Sequence, residues 1–167
     1  EMLRSLVGSE MCIRDRRFMV RNSGATAVSE GCGDHALEYM TGGVAVILGA
    51  TGRNFGAGMS GGVAYVYKLR ADHINQEALM AGELKLSEPD QADQLELKAL
   101  LEEHLTETGS FLAGAILENF DAELSSFTKV LPRDYDSVQQ ILTRARKDGA
   151  DLDGDAVWQE ILEVTRG

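Results

Sequence analysis

The chain has 167 residues, with 16 basic against 27 acidic side chains and a formal net charge of −11. This acidic balance argues against a nucleic-acid interface and against binding to an anionic membrane surface. No apolar run is long enough to span a membrane, and the length suits one domain of ordinary size.

Residues 1–16 differ from the rest of the sequence. They lack the long apolar middle and the cleavage site of a signal peptide. The stretch LVGSEMCIRDR, residues 6–16, instead equals the translation of a transposase adapter common in metagenome sequencing libraries. We therefore expect residues 1–16 to be adapter-derived and non-native, and the biological sequence, the C-terminal part of a longer protein, to start near Arg17.

With Cys12 set aside, Cys32 is the single remaining cysteine. One cysteine cannot form an internal disulfide, which fits a reducing compartment.

Residues 17–74 are rich in glycine and repeat with a period near 19. Gly24, Gly43 and Gly62 are each 19 residues apart, and a short apolar run follows each of them. Two helices do not fit into so short a period, whereas one coil of a solenoid with one strand per coil does. The repeat therefore predicts a mainly β solenoid, a right-handed parallel β-helix. It also predicts that three residues lie in register: Val28, Ile47 and Val66.

The same region contains GAGMSG, from Gly56 to Gly61, which satisfies the dinucleotide pattern G-x-G-x-x-G. That fingerprint needs a helix after its glycines, because the helix N-terminus holds the pyrophosphate. The following GVAYVYK is typical of a strand. We therefore assign these glycines to the repeat and predict no nucleotide site.

Residues 75–167 are predicted to be a helical extension that packs on the β-helix. The apolar spacing favours helices at 90–108, 111–127, 135–147 and 156–165, with Ser110 as an N-cap. Their expected buried faces share large apolar side chains at helical spacing: Leu95, Leu97, Leu101 and Leu105; Phe111, Ile116, Leu117, Phe120 and Leu124; Val138, Ile141 and Leu142; Val157, Trp158, Ile161 and Leu162.

Four features could carry chemistry, and each has a simpler structural interpretation. Cys32 has no cysteine neighbours at cluster spacing and is expected to be a small packing residue. His35 is expected to be an exposed turn residue, and His104 a surface or packing residue without a second ligand at i+4. The acidic stretch at Asp151, Asp153, Gly154 and Glu160 fits a calcium loop, but Gly149 stands where the first carboxylate is needed. We therefore predict no catalytic, cofactor-binding or metal-binding residue.

The stretch from Val20 to Tyr67 resembles the C-terminal domain of the glutamate synthase large subunit, a domain named for its repeated G-x-x-G-x-x-x-G pattern. The pattern lies in GCGDHALEYMTGG and GRNFGAGMSGG, and EEHLTETGS and FTKVLPRDY also resemble that family. The resemblance implies a right-handed β-helix followed by helices, at the end of a large cytoplasmic enzyme. That enzyme is an oxidoreductase that makes two glutamates from glutamine, 2-oxoglutarate and a reductant.

The resemblance further implies that FMN, an iron–sulfur cluster and the amidotransferase nucleophile belong to upstream domains, with no cofactor in this part of the chain. The upstream amidotransferase and FMN domains would be partners within the same polypeptide, and a small NADPH-oxidising subunit would be a further one. The expected role is structural: it fixes the relative position of those domains. The alternative is a stand-alone β-helix scaffold, or a subunit of another complex such as a formylmethanofuran dehydrogenase-like assembly.

Overall fold

A computed structural model of the chain describes residues 15–152 and 154–165. In this part of the chain, five strands form one open mixed sheet in the order β1-β2-β3-β5-β4. The strands are β1 (Ser23–Ser29), β2 (Thr41–Ile47), β3 (Gly61–Tyr67), β4 (Leu84–Ser87) and β5 (Phe127–Pro132). β1, β2 and β3 are mutually parallel, whereas β5 is antiparallel to both β3 and β4.

Six α-helices accompany the sheet within the described residues. They are α1 (Gln76–Met80), α2 (Gln91–Thr108), α3 (Phe111–Glu118), α4 (Phe120–Glu123), α5 (Arg133–Lys147) and α6 (Asp155–Thr165). Among the described residues, none of the helices combines the length and the apolar character needed to cross a membrane.

The predicted right-handed parallel β-helix over residues 17–74 is wrong. Its three strands exist and pair in parallel, but the free edge of β3 is taken by β5 rather than by another coil. An unpaired strand edge needs a backbone partner, and here that partner comes from residues 127–132. The result is an α/β fold with one open sheet rather than a solenoid.

The strand register is set by bulges at the glycines. Ser23 pairs with Gly42, but beyond the bulge Val28 pairs with Val46, so the predicted match of Val28 with Ile47 is wrong by one residue. The predicted match of Ile47 with Val66 is confirmed. An extra residue in one strand of a pair shifts all later partners by one, which a search for a fixed period does not detect.

The turns between the strands also repeat. Met19, Leu37 and Gly56 have φ of 53°, 60° and 75° and occupy equivalent places in successive turns. The carbonyl of Phe18 accepts from the N–H of Leu37 at 2.9 Å, and the carbonyl of Ala36 accepts from the N–H of Gly56 at 3.0 Å. The turns therefore stack on one another and form a layer beside the sheet.

The sheet separates two hydrophobic cores, because successive strand residues point to opposite faces. The loop-side core lies between the sheet and the stacked turns and includes Leu37, Met40, Ala45, Ile47, Phe55, Ala64 and Val66. The helix-side core lies under α2 and α3 and includes Val46, Tyr65, Leu97, Leu101, Ala113, Ile116 and Phe127. A separate small cluster joins α5 to α6 through Ile141, Ala145 and Val157.

The helical part differs from the prediction in three respects. The predicted helix 111–127 ends at Glu118, continues as the short α4, and gives way to β5 at Phe127. α1 and β4 were not predicted. Four side chains predicted to be buried are exposed: Leu95, Phe111, Trp158 and Leu162. The N-cap at Ser110 is confirmed, since its hydroxyl accepts from the N–H of Ala113 at 3.0 Å.

Candidate functional site

Cys32 and His35, two of the residues considered above as able to carry chemistry, make contacts that stabilise the fold. Cys32 is half-buried and packs against the loop-side core, and its N–H donates to the carbonyl of Ala50 at 2.8 Å. His35 lies in the stacked turns, where its Nδ1 is 2.7 Å from Oε1 of Glu38. His35 lies in a turn, as predicted, and its side chain is 40% exposed.

The glycines of the dinucleotide-like pattern lie in the last turn before β3. Gly56 and Gly58 have positive φ, and Gly61 opens the strand itself. A strand therefore follows the pattern, as the sequence predicts. A Cβ atom at Gly61 would lie 2.2 Å from the carbonyl oxygen of Thr41, so this glycine allows neighbouring backbones to approach closely.

The acidic stretch near the chain's end is engaged in other contacts where it is described. Glu160 pairs with Arg144 of α5, and the carbonyl of Asp151 accepts from the N–H of Gly154 at 3.1 Å. Asp153, which would supply a further calcium ligand, lies outside the described residues, as do residues 1–14 of the segment predicted to be adapter-derived.

The cysteines of the described residues do not fit the ligand requirement of a resident iron–sulfur cluster. Cys32 is the only cysteine among the described residues, whereas such clusters are held by several thiolates. Across ranges 15–152 and 154–165, no three histidine, cysteine or acidic side chains lie close enough together to hold a metal ion.

His104 lies on α2 and faces the corner that follows β1. It is buried, and its Nε2 has no hydrogen-bond partner, although Oε1 of Glu30 lies 3.8 Å away. The same carboxylate oxygen accepts from the hydroxyl of Ser110. Burial is the main cause that lowers the pKa of His104 below its usual 6.5, while Glu30 opposes that shift. The ring is therefore a neutral packing residue at neutral pH.

A buried polar cluster joins β3, β5 and α2, and sequence reasoning missed it. Asp93 in the first turn of α2 receives Lys129 Nζ at 2.8 and 2.7 Å on its two oxygens. The hydroxyl of Tyr65 donates to Asp93 Oδ1 at 2.7 Å, and Oε2 of Glu96 lies 3.2 Å from that hydroxyl. The N–H of Asp90 also donates to Asp93 Oδ2 at 2.8 Å, so every oxygen of the buried carboxylate is occupied.

The Tyr65–Asp93–Lys129 cluster is suited to holding elements together rather than to catalysis. Burial, followed by the hydrogen bond to Asp93, raises the pKa of Tyr65 far above its usual value of 10. The phenol therefore stays protonated and serves as a donor, and it cannot act as a general base. Tyr65 and Lys129 are direct partners across the β3–β5 ladder. The cluster therefore holds α2 and β5 together on the sheet.

Two sequence signals could have revealed the cluster. Lys129 interrupts an otherwise apolar run, FTKVLP, and a lysine in such a run needs a buried acid. Asp90 and Asp93 stand at capping-box spacing, and the structure shows both capping hydrogen bonds.

A shallow surface depression of about 590 Å³ lies where the last turn meets α1. Its lining includes Arg53, Asn54, Asp72 and Gln76. Asp72 is engaged by Arg70 through two hydrogen bonds of 3.0 Å. The depression is open to solvent and does not enclose a space for a ligand.

The glycine-bulged parallel strands and the stacked turns belong to a known class of domain. The profile of the GXGXG motif family matches residues 10–133. The chain therefore belongs to the GXGXG motif family. The match begins inside residues 1–16, and the adapter origin of that segment stays a prediction.

The chain is similar to segments of glutamate synthases. It is 46% identical over 158 residues to glutamate synthase [NADH] of Schizosaccharomyces pombe, covering 89% of this chain and 7% of that protein. It is 43% identical over 119 residues to the glutamate synthase [NADPH] large chain of Bacillus subtilis, covering 71% of this chain and 8% of that protein. The chloroplastic ferredoxin-dependent glutamate synthase of Spinacia oleracea is 38% identical over 154 residues, covering 87% of this chain and 9% of that protein. The chain thus spans less than a tenth of the length of these curated relatives.

Proposed function

We propose that this chain is the GXGXG segment of a glutamate synthase, and that the segment is structural rather than catalytic. The whole enzyme would convert glutamine, 2-oxoglutarate and a reductant into two glutamates. The observation that carries the proposal is the 46% identity over 89% of the chain to a glutamate synthase.

The electron donors in the relatives' names support a role that is separate from electron supply. Relatives named for NADH, NADPH and ferredoxin match this chain at similar identity, between 38 and 46%. A segment that selected the donor would differ among these enzymes more than this. The role of the segment is therefore one that all three kinds of enzyme need.

The contacts of the polar residues support a structural role. Asp93, Lys129 and Tyr65 bind one another, and Glu30 binds Ser110, so these groups serve to join elements. The Ser110 hydroxyl is not placed as a nucleophile, because it is buried and its oxygen accepts from the N–H of Ala113 as the N-cap of α3.

The remaining parts of the enzyme would supply its chemistry. FMN and an iron–sulfur cluster would be held by other parts of the long polypeptide, consistent with the single described cysteine. The partners of this segment would be the amidotransferase and FMN domains of the same polypeptide, whose relative position it would fix, and a small NADPH-oxidising subunit. We place the enzyme in the cytoplasm, although the spinach relative is named as chloroplastic.

A domain exchange tests the proposal. Residues 17–165 of this chain replace the matching segment of the Schizosaccharomyces pombe relative, and glutamate formation is measured with glutamine and, separately, with ammonium chloride as the nitrogen source. We expect the chimera to use both. A control chimera receives an unrelated domain of the same length, and it should lose the glutamine-dependent rate.

Two outcomes would contradict the proposal. A folded chimera that retains flavin but forms no glutamate from either nitrogen source would show that this chain is not a glutamate synthase segment. A control chimera as active as the first would show that the segment does not position the other domains.

A further inference from the structure

The hairpin of α5 and α6 is set apart from the rest of the domain. The family match ends at residue 133, where α5 begins. The hairpin has its own small core, formed by Ile141, Ala145 and Val157. Its polar links to the sheet region include the Lys85–Asp136 ion pair at 2.5 Å and the N–H of Arg133 donating to the carbonyl of Glu83 at 2.9 Å.

α6 has an outward apolar face in addition to its inward one. Val157 and Ile161 pack towards α5. Trp158 and Leu162, one helical turn apart and therefore on the same side, are 52% and 43% exposed. Tryptophan is the residue type most enriched among side chains that dominate binding interfaces.

Exposed acidic side chains lie near this face. Asp155 is exposed one turn before Trp158, and Glu163 is exposed next to Leu162 in the sequence. Glu160 is engaged with Arg144. The whole chain carries a net charge of −11, so two copies meeting through this face would bring like charges together. The face therefore fits a partner surface of positive charge.

We propose that the Trp158–Leu162 face of α6 docks into an apolar groove rimmed by lysine and arginine on another part of the long glutamate synthase polypeptide. This inference rests on the proposed function. The matched segment makes up only 7 to 9% of the relatives, so most of such a polypeptide lies outside this chain and can offer the groove. The hairpin would then join the domain to its neighbours.

Hydrogen exchange in the chimeric enzyme tests the docking. Exchange of the amides of residues 155–165 is followed by mass spectrometry in the parent chimera and in the double variant Trp158→Ser/Leu162→Ser. We expect exchange in α6 to become at least about tenfold faster in the variant, because the undocked hairpin opens locally. Met80→Ser, which changes an 84% exposed side chain on α1, is the matched control and should leave α6 unchanged.

Glu163→Lys separates docking from the hairpin's own stability. A lysine in the last turn of a helix favours the helix, because it interacts well with the helix dipole. We nevertheless expect α6 to exchange at least about threefold faster in this variant, since a positive rim would repel the lysine.

Several results would overturn the docking proposal. Exchange in α6 that stays within about twofold of the parent in both variants would show that the face is unoccupied. A change in the double variant without one in Glu163→Lys would exclude a basic rim. Protection that falls when the chimera is diluted would identify a second copy as the occupant. The exchange data decide docking whether or not the chimera forms glutamate, and glutamate formation alone decides the proposed function.

Discussion

Gly43 has a backbone conformation and a close contact that no other residue type fits. Its φ is +92°, and a Cβ atom would lie 2.3 Å from the carbonyl oxygen of Ala25. We expect Gly43→Ala to lower the free energy of unfolding by about 2–4 kcal/mol, because both the backbone and the β1–β2 contact must shift. Urea unfolding followed by circular dichroism measures this loss.

Gly24, one repeat earlier, is the matched control. It has no atom within 4 Å of a Cβ position and no positive φ. Gly24→Ala should change the unfolding free energy by less than about 1 kcal/mol, in either direction. Equal losses in the two variants would show that the stacking at Gly43 is not what requires glycine.

His104 should make stability depend on pH. Its pKa in the folded protein is below 6.5, so the unfolded chain takes up the proton first as the solution is acidified. The contribution of the neutral ring is fully present above pH 6.5 and is lost as the pH falls from there through the folded-state pKa. His104→Leu should therefore have a flatter stability profile than the parent over this window.

The measurement is a set of urea unfolding curves between about pH 7.5 and pH 5.5, because proton linkage is read from the slope rather than from one value. Carboxylates titrate in both proteins, so only the difference between the two profiles reports on His104. Parallel profiles would mean that the buried ring does not resist protonation.

Several single-residue features could be predicted from sequence, and others could not. The sequence predicts Ser110 as an N-cap and residue 108 as the end of the preceding helix, which Gly109, with φ of 66°, terminates, because local hydrogen bonding and backbone freedom decide both. Trp158 was predicted to be buried but is exposed. Helical periodicity places a side chain on a face, but what covers that face depends on distant parts of the fold.

At the scale of elements, the Tyr65–Asp93–Lys129 cluster decides how α2 and β5 meet. Asp93 and Lys129 side chains are 11% and 16% exposed, so solvent screens their attraction only weakly. We expect Lys129→Met to cost about 2–4 kcal/mol of unfolding free energy, because it leaves the Asp93 carboxylate buried without its cation. The double variant Asp93→Asn/Lys129→Met should recover part of that loss.

Lys85→Met provides the comparison on the neighbouring strand. Lys85 pairs with Asp136 at 2.5 Å, but the lysine is 44% exposed. Its loss should cost less than about 1 kcal/mol, as is usual for a surface ion pair. Thermal and urea unfolding of the three variants and the parent would settle the comparison. A Lys129→Met protein as stable as Lys85→Met would show that the cluster does not clamp the sheet.

The same cluster explains why the local sequence does not predict β5. FTKVLP contains a lysine and ends in proline, features that favour a connection over a central strand. Lys129 is tolerated in the strand because Asp93, 36 residues away, receives its charge. The proline is tolerated because Pro132 is the last residue of β5. Neither compensation is visible in the local sequence.

At the scale of the whole molecule, the repeat was the strongest sequence signal of the fold. It determined less of the sheet topology than the predicted β-helix required. The period near 19 implied parallel strands joined by short turns, and β1, β2 and β3 have that arrangement. The period did not determine which strand pairs with the free edge of β3. There, pairing with β5 replaces a further coil, and this follows from long-range contacts between the repeat and residues 127–132.

The functional interpretation depended on similarity to known proteins rather than on the period of the repeat. The match to glutamate synthases extends across both the repeat and the helices, whereas Asp93 and its partners in the polar cluster are 28 and 36 residues apart. Family membership was therefore readable from the sequence, and the contacts that unify the domain were not.

The bulges opposite Gly43 and Gly62 affect how this domain tolerates insertions and deletions. The sequence separation between paired residues falls from 19 to 18 along the β1–β2 pair, and from 20 to 19 along the β2–β3 pair. Each bulge thus absorbs a difference of one residue between neighbouring repeats. A lineage can gain or lose a residue in a turn and still keep the strands aligned, provided that the glycine remains. Insertions and deletions should accordingly collect in the turns of natural variants, while the two glycines persist.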